Sequence, residues 1–451
     1  MTAEVAILNR SAVALATDSA VTLRSGEAEK IYDTADKLFE LSAKNPIAIM
    51  VYNNLEFLSI PLEVIIKKFR DSPYCTNFST VFDAASSFLQ YINNPVETTA
   101  PKEVIDDCVY GILYDEFVRL RSIFEENVRF HYTNNRKQKP DMHSIFIMTI
   151  SERSDELEKL TASACFDGMT HAEVIAHHID AFERSVAFVF KNYPITAEDK
   201  MLLVNLAGLA LHRDTYSSSR TGLIFAGFGS DELFPSLKSF ETDGIIAGRL
   251  KIKETNKVDI DRLDRRVEIV PFAQREMADR FLFGIDPEFE SVIAETYDQI
   301  LLGVEQKILS LFKRSPKKRR EHIQDAVQKI IDAAATHHRN DTMPQLKEVF
   351  KKQIEDMVLL MPKQELAFMA ESLINITSIK RKVSAQQESV GGPIDVAIIT
   401  RAEGFIWVKR KHYFDPKFNP RFFQRRYGTI PSGVEEVANG KQAANAAKAN
   451  A

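Results

Sequence analysis

The N-terminal part of the chain contains apolar runs that do not alternate with polar residues. Residues 5–8 and 12–16 form two such runs, separated by a polar segment at 9–11 that is typical of a turn, and residues 46–51 form a third. A strand with one face in water alternates apolar and polar positions, so these runs predict strands that are covered on both faces. We therefore expect a β-hairpin near the N-terminus, within a sheet that has other structure above and below it.

Longer stretches with apolar residues at three- and four-residue spacing predict helices. They are 55–69, 81–91, most of 93–217 and 271–381, and Pro61 must start or split the first of them. Short apolar or β-branched runs predict further strands, at 144–150, 222–229, 244–250, 394–399 and 404–409. The order of strands, helices, strands, helices and strands suits two sheets between helical layers.

Composition and charge narrow the class of protein. Hydrophobic residues make up 45% and charged residues 27% of the 451, and the formal net charge is -5, so there is no bulk reason to expect nucleic acid or an anionic membrane as a partner. The cysteines Cys75, Cys108 and Cys165 are odd in number and widely spaced, which fits a reducing, cytoplasmic setting. The chain starts without a secretory signal, and no apolar run approaches the roughly 20 residues that span a bilayer. We therefore expect a cytoplasmic protein without a membrane partner, with a mature N-terminus close to the coded one.

Thr2 becomes a candidate nucleophile if Met1 is removed. A hydroxyl is a weak nucleophile at neutral pH and needs a base within hydrogen-bond reach, and a threonine at the first position can use its own α-amino group. That group titrates at about pH 8, and a nearby ammonium would lower its pKa and leave more of it neutral. A buried ammonium needs a carboxylate to offset its desolvation. Asp18 and Lys37 supply these two groups early in the chain.

The order of these residues resembles the start of proteasome β subunits and of the bacterial proteasome-like peptidase, which are N-terminal-nucleophile (Ntn) hydrolases. There, too, a threonine precedes a strand, a turn and a second strand that ends near an aspartate, here Asp18, and a lysine, here Lys37, opens a new strand. The resemblance implies an α+β fold, a four-layer αββα sandwich. It also implies that Thr2 is the nucleophile, that Asp18 pairs with Lys37 and that the lysine tunes the N-terminus.

Two later segments extend the resemblance. Gly227-Phe228-Gly229-Ser230 is similar to the family's glycine-serine segment, whose serine supports the N-terminal amine, and this role maps to Ser230. Gly391 and Gly392 belong to a stretch that resembles the small-residue turn before the closing strand pair. We expect both glycines to support the site.

The chain also departs from the family pattern. Asn53 stands near the usual glycine whose backbone N–H forms part of the oxyanion hole, and we expect it to keep that geometry because asparagine tolerates positive φ better than other non-glycine residues. Capping of the following helix is a compatible interpretation of Asn53. Gln387 and Val390 replace an aspartate and a serine that help to hold the terminus, so this outer support is altered or lost.

The matching segments suggest how the chain is organised. Two helical insertions, much larger than the family norm, interrupt a core whose parts are far apart in sequence. The predicted parts are the N-terminal half of the core at 1–95, a helical insertion at 96–217, core strands at 218–255, a helical insertion at 256–375, closing strands with a C-terminal extension at 376–428, and a disordered tail at 429–451.

The favoured hypothesis is a threonine peptidase or amidohydrolase that forms a covalent acyl-enzyme on Thr2 and needs no cofactor or metal. The resemblance implies a peptide or protein substrate and self-association into a homo-oligomer. The insertions could form a lid, a docking surface for a regulatory partner protein or an assembly element. The alternative is a catalytically inactive Ntn-fold assembly or binding module, which Asn53, Gln387 and Val390 favour.

Two other patterns point to weaker alternatives. Residues 170–178 contain three histidines, but in an order that does not make an HExxH motif and without an evident third ligand, so we do not expect a metal site. The basic run 313–320 and the aromatic-basic stretch 418–427 could contact nucleic acid or an acidic partner. A solvated helix start and a packed C-terminal extension are the favoured interpretations, so we do not expect a nucleic-acid partner.

Overall fold

Two five-stranded sheets, antiparallel throughout, form the centre of this mixed α+β fold. The computed structural model describes residues 2–25, 28–94, 100–134, 141–384, 390–411, 414, 416–421 and 424. In spatial order, the first sheet contains β12 (Val267–Ala273), β1 (Ala3–Asn9), β2 (Val13–Thr17), β13 (Asp395–Thr400) and β14 (Gly404–Lys409). The second contains β11 (Arg249–Asp259), β10 (Ser236–Ile246), β9 (Thr221–Gly227), β6 (Ile47–Asn53) and β5 (Leu38–Ser42).

The predicted strands at the two ends of the chain and at 46–51 are confirmed. β1 and β2 form the expected hairpin, with Val5 opposite Ala16, and every residue of both strands is buried. Two short pairs lie beside the sheets, β3 (Val21–Ser25) with β4 (Ala28–Tyr32) and β7 (Glu56–Phe57) with β8 (Ile60–Pro61).

Alternate side chains of β1 enter different apolar clusters. Ala6 and Leu8 pack with residues of the second sheet, such as Met50, whereas Val5 and Ile7 pack against a helix. That helix is α12 (Lys363–Val383). The period of two along the strand therefore explains how an uninterrupted apolar run is buried on both faces.

The second sheet packs against two helices, α1 (Leu62–Asp71) and α2 (Val81–Asn93). Helix α1 starts directly after Pro61, as the sequence indicated, so the helical part of the predicted stretch 55–69 is shorter than expected. In α2, Thr80 and Asp83 form a capping box that satisfies backbone N–H groups of the first turn.

The first insertion is helical, as predicted, but the strand expected at 144–150 is wrong. Its helices share a separate apolar core and are α3 (Lys102–Asn134), α4 (Met142–Glu158), α5 (His171–Ala176), α6 (Ile179–Val189) and α7 (Ala197–His212). Ile145, Phe146, Thr149 and Ile150 are buried on one face of α4, and this spacing is helical. The short apolar run was ambiguous because its length suits a buried strand as well as part of a helix.

The predicted strand at 244–250 is confirmed only at its two ends, which complete β10 and start β11, because the chain turns at 247–248. Ala247 and Gly248 have φ values of 49° and 74°, and Ile246 pairs with Arg249 across the turn. Two successive residues with positive φ are typical of a tight two-residue hairpin loop.

The predicted start of the second insertion is wrong as well. Residues 256–259 complete β11, and β12 then forms the edge of the first sheet next to β1. The helices that follow are α8 (Glu276–Phe283), α9 (Pro287–Leu311), α10 (Lys317–His337), a π-helical turn (His338–Thr342), α11 (Met343–Leu360) and α12. Since α12 packs on β1 and β2, its N-terminal half belongs with the sheets rather than with the insertion.

Several expectations fall on residues outside the described part of the chain. They concern the tail 429–451, Gln387 and half of the aromatic-basic stretch 418–427. Within the described residues, no helix combines the length and apolar character that crossing a bilayer requires.

Candidate active site

The ammonium of Lys37 joins three parts of the chain. Lys37 precedes β5, and its side chain is only 1% exposed. Its Nζ donates hydrogen bonds to Asp18 Oδ1 at 2.8 Å, to the Ala20 carbonyl at 2.6 Å and to Thr2 Oγ1 at 3.1 Å. An ammonium has three N–H donors, so these contacts use all of them. The structure thus brings together the three residues that the sequence analysis singled out.

Hydrogen bonds to both carboxylate oxygens hold Asp18 in place. Oδ1 accepts from the Ala3 backbone N–H at 3.2 Å as well as from Lys37, and Oδ2 accepts from the N–H groups of Ala20 at 3.3 Å and Gly391 at 3.1 Å. Asp18 is 1% exposed. Burial of an ion pair is costly unless hydrogen bonds satisfy the remaining lone pairs, and this arrangement meets that condition.

Thr2 is positioned by the edge of the first sheet. Its carbonyl accepts a hydrogen bond from the Gln274 N–H at 3.0 Å, and the next residue, Ala3, pairs with Ala273 of β12. Thr2 is 2% exposed. The carbonyl of Thr2 and the residue that follows it are therefore tied to β12, which holds the Thr2 hydroxyl against the ammonium.

Gly391 and Gly392 hold the loop that carries Asp18. Besides donating to Asp18, Gly391 accepts a hydrogen bond from the Ser19 N–H at 3.2 Å. Gly392 has a φ of 75°, and a Cβ at this position would come within 2.7 Å of Asp33 Cβ. Val390, beside them, is fully buried in the cluster under α12. Gly391 thus contacts Asp18 directly, whereas the close approach at Gly392 is to Asp33.

Asn53 lies at the same edge of the second sheet as Lys37. The Val51 N–H donates to the Lys37 carbonyl at 2.8 Å, and Asn53 follows two residues later at the end of β6. Its φ of 64° is in the left-handed region, which a glycine would adopt without strain. The backbone geometry expected for this position is therefore present with asparagine in place of glycine, and the Asn53 side chain accepts no cap hydrogen bond for α1, whose N-cap is Pro61.

The prediction that Ser230 supports the N-terminal amine is wrong. Along β6 and β9, Asn53 pairs with Thr221 at one end and Ile47 pairs with Gly227 at the other. These ends are about 20 Å apart at the usual rise per residue of a strand, and Ser230 lies just beyond the far end. Its N–H donates to the Phe78 carbonyl and its hydroxyl donates to Asp231.

The glycines before Ser230 have a packing role that explains the misleading motif. A Cβ on Gly227 would lie 2.0 Å from the Pro46 carbonyl oxygen, and one on Gly229 would lie 2.1 Å from the Ser79 carbonyl oxygen. The segment therefore approaches neighbouring backbone closely. This requirement for glycine is the same whether or not a catalytic serine follows.

Sequence reasoning missed Glu4, a buried carboxyl group next to the candidate site. Glu4 is 1% exposed on β1, two residues from Thr2 and therefore on the same face of the strand. Burial raises the pKa of Glu4 well above its ordinary value, and the Lys37 ammonium only partly opposes this effect. A lone glutamate inside a strand of apolar residues was the sequence signal that could have revealed it.

Two of the three histidines of 170–178, His171 and His178, have polar structural partners. His178 Nδ1 is 2.8 Å from Asp106 Oδ1, and its Nε2 accepts from the Ala247 N–H at 2.9 Å, while His171 Nε2 is 3.0 Å from Asn205 Oδ1. Burial lowers the pKa of His178, which favours the neutral ring that this pair of contacts requires. Among the described residues, no group of three or more histidine, cysteine, aspartate or glutamate side chains is arranged to hold a metal ion.

The basic run and the cysteines are also accounted for locally. Lys317 and its neighbours begin α10 with their side chains exposed, which is the solvated helix start that the sequence favoured. Cys75, Cys108 and Cys165 are all free.

Comparison of the chain with protein-family models and with curated proteins found no match in either case.

Proposed function

We propose that the protein is a threonine-dependent amide hydrolase of the Ntn type, acting through Thr2 once Met1 has been removed. The observation that carries this proposal is the 3.1 Å contact between Lys37 Nζ and Thr2 Oγ1, made by an ammonium that is paired with Asp18 in the protein interior. A merely structural ion pair would not need to present its third donor to the hydroxyl of the residue that becomes the N-terminus.

The proposed reaction uses the α-amino group as the base. The amine takes the proton of the Thr2 hydroxyl while Oγ1 attacks a carbonyl carbon and forms a C–O bond. The tetrahedral intermediate collapses by breaking the C–N bond, and the leaving nitrogen receives the proton. Water then attacks the acyl-enzyme, its proton passes to the amine, and Thr2 is restored with release of a carboxylic acid.

Lys37 and Asn53 have separate tasks in this reaction. The Lys37 ammonium lowers the pKa of the nearby α-amine and so raises the neutral fraction that can accept a proton. It also stabilises negative charge that develops on Oγ1. The backbone N–H of Asn53, placed by its left-handed conformation, is the proposed donor to the carbonyl oxygen in the tetrahedral intermediate.

The four-layer αββα arrangement belongs to the same proposal. Its support is the sequence of apolar clusters, with α12 against the first sheet, an apolar filling between the two sheets, and α1 and α2 against the second sheet. Such an arrangement places the N-terminus of β1 against residues of the opposite sheet. The proposed contact of Lys37 with Thr2 depends on this placement. The substrate we propose is a peptide or protein, and the three free cysteines fit a cytoplasmic setting.

The direct test is acylation by a β-lactone, which reacts with an activated hydroxyl. We expect one probe per chain in the parent, located on Thr2 by peptide mapping, and none in Thr2→Ala. Thr2→Ser is the matched control, because it keeps a hydroxyl at the same position and should still be labelled. Equal labelling of the parent and Thr2→Ala would refute the proposal.

The second candidate function, an assembly or binding module, is favoured by α9. Phe289, Val292, Ile300, Val304 and Leu311 are each at least 46% exposed. At 3.6 residues per turn they fall within a sector of about 120° on one face of the helix. An exposed apolar stripe is typical of a protein–protein contact, so it also supports the proposed homo-oligomer or a regulatory partner.

Two substitutions on α9 test the role of the stripe. Ile300→Asp introduces a charge within it, whereas Leu302→Asp changes a residue that is 50% exposed on the opposite face. If the stripe mediates self-association, light scattering coupled to size-exclusion chromatography will show a smaller species for Ile300→Asp only. An assembled protein in which the β-lactone does not label Thr2 would favour the assembly module over the hydrolase.

A further inference from the structure

Glu4 lies between the two sheets, directly beside the candidate nucleophile. On β1 it pairs with Thr17 of β2 on one side and with Phe272 of β12 on the other. Phe272 in turn packs against Tyr52 of the second sheet, with 5.9 Å between the ring centroids. The carboxyl group is therefore enclosed between the two sheets, where Glu4 is 1% exposed.

The hydrogen bonds around Thr17 identify the protonation state of Glu4. Thr17 Oγ1 is 3.1 Å from Glu4 Oε1 and 3.0 Å from the Asp18 carbonyl oxygen. Both of these neighbours would be acceptors if Glu4 were ionised, but a hydroxyl has one hydrogen to donate. A protonated Glu4 resolves the conflict, because it donates to Thr17 Oγ1 while Thr17 donates to the Asp18 carbonyl.

The other carboxyl oxygen supports the same assignment. Glu4 Oε2 is buried and has no hydrogen-bond partner among the described residues. An ionised carboxylate with one oxygen unsatisfied in the protein interior is far more costly than a neutral acid in the same place. The geometry alone therefore favours the neutral form.

We propose that Glu4 is a neutral carboxylic acid in the folded protein and acts as a positioning residue that keeps the Thr2, Lys37 and Asp18 group in charge balance. The role in charge balance rests on the proposed function, whereas the neutral state of Glu4 is independent of that function. Glu4 does not touch the reacting atoms. It acts through Thr17 and through the electrostatic environment of Lys37.

The charged and titratable groups that face Glu4 come from three other elements. Lys37 and Asp18 lie on one side, and the α-amine of Thr2 would join them after removal of Met1. Tyr52 faces it from β6 and donates to Glu241 at 3.1 Å, which is itself paired with Arg220 at 2.9 Å. Asp18 already balances Lys37. A second negative charge at Glu4 would therefore favour the ammonium form of the Thr2 amine and lower its base-competent fraction at a given pH.

This assignment predicts how stability depends on pH. Because burial raises the pKa of Glu4 above its value in the unfolded chain, the folded state holds a proton that the unfolded state has lost. The contribution of Glu4 to stability is then greatest below the unfolded pKa of a glutamate, at about 4.3, and falls as the pH rises toward the folded pKa, by up to tenfold in the folding equilibrium constant per pH unit.

Glu4→Gln is the test variant, since its amide can donate to Thr17 as the acid does. Infrared difference spectra of the parent and Glu4→Gln at neutral pH should show the carbonyl band of one undissociated carboxylic acid. The thermal midpoint of Glu4→Gln should exceed that of the parent by a margin that grows with pH. β-Lactone labelling of Thr2 should rise with pH as the α-amine loses its proton, and this rise should lie at higher pH in the parent than in Glu4→Gln.

Each outcome decides a separate point. Absence of the acid band from the difference spectrum overturns the neutral acid. If the acid band is present but the pH profiles of Thr2 labelling coincide in the parent and in Glu4→Gln, the role of Glu4 in charge balance is overturned. A band in a parent that the β-lactone never labels supports the neutral acid and contradicts the hydrolase. If Glu4→Gln does not fold, Glu4→Met and a pH titration of the acid band in the parent give the same answers.

Discussion

Lys37 and Lys329 each lie beside an aspartate, but in very different surroundings. The distances are alike, 2.8 Å from Lys37 Nζ to Asp18 and 2.9 Å from Lys329 Nζ to Asp325. The first pair is 1% exposed on both sides, whereas the side chains of the second are 74% and 64% exposed on α10. The two pairs therefore have nearly equal N···O distances, although one is buried and the other is exposed to solvent.

The difference teaches that burial, rather than distance, decides what such a pair can do. An ion pair exposed to water is screened and contributes little to stability, so the Lys329–Asp325 pair needs no functional explanation. A buried pair is costly to desolvate and very costly to break, so its presence calls for a reason. At Lys37 the reason we propose is its contact with the hydroxyl of Thr2.

The largest expected effect is that of Lys37→Met. Removal of the ammonium leaves the Asp18 carboxylate buried without its counterion, which should lower the free energy of unfolding by about 3–5 kcal/mol. It should also abolish labelling of Thr2. Lys329→Met is the matched control and should leave the midpoint of urea denaturation unchanged. Equal shifts in the two variants would show that burial does not separate the two pairs.

Gly392→Ala should have an intermediate effect on the buried region. Both its φ of 75° and the 2.7 Å approach of a Cβ to Asp33 oppose the substitution, so we expect a loss of about 1–3 kcal/mol of stability from the forced shift. Gly404→Ala separates the two causes, because its φ is 79° but a Cβ would meet nothing within 4 Å. Urea denaturation should show the smaller loss for Gly404→Ala. The reverse order would indicate that the loop at Gly392 is not tightly packed.

The smallest effect is expected for Gly303→Ala in α9, and its sign is opposite. Gly303 is exposed, and a Cβ there would meet nothing within 4 Å, so alanine should stabilise the helix by about 0.5–1 kcal/mol. Hydrogen exchange of the α9 amides should slow accordingly. Faster exchange would mean that this position has a close contact outside the chain itself, for example in an assembled form.

The same contrast explains how much of the molecule could be predicted. The hairpin of β1 and β2 and the closing strands followed from the sequence, because burial on both faces leaves an uninterrupted apolar pattern. The grouping of Thr2, Asp18 and Lys37 was predicted from the resemblance to proteasome β subunits, since the spacing of the three residues alone does not determine it. Asn53 also adopted the expected left-handed conformation.

The predictions from the sequence failed where a local pattern had two structural explanations. The run at 144–150 suits either a strand or a helix, and the glycines before Ser230 serve close backbone packing at the far end of the sheet. The edge strand β12 was missed because its partner β1 is more than 250 residues away, and pairing at that separation leaves no local signal. Glu4 was overlooked because its importance depends on enclosure by the opposite sheet.

The central claim is that the amine and hydroxyl of a processed Thr2 act together beside Lys37. An epoxyketone peptide tests it most directly, because stable modification requires both the hydroxyl and the free α-amine of an N-terminal threonine. Intact-mass analysis should show the parent without Met1 and with one probe, attached to Thr2, and Thr2→Ala without probe. Protein that retains Met1 in full, or that stays unmodified while a control threonine hydrolase reacts, would contradict the account.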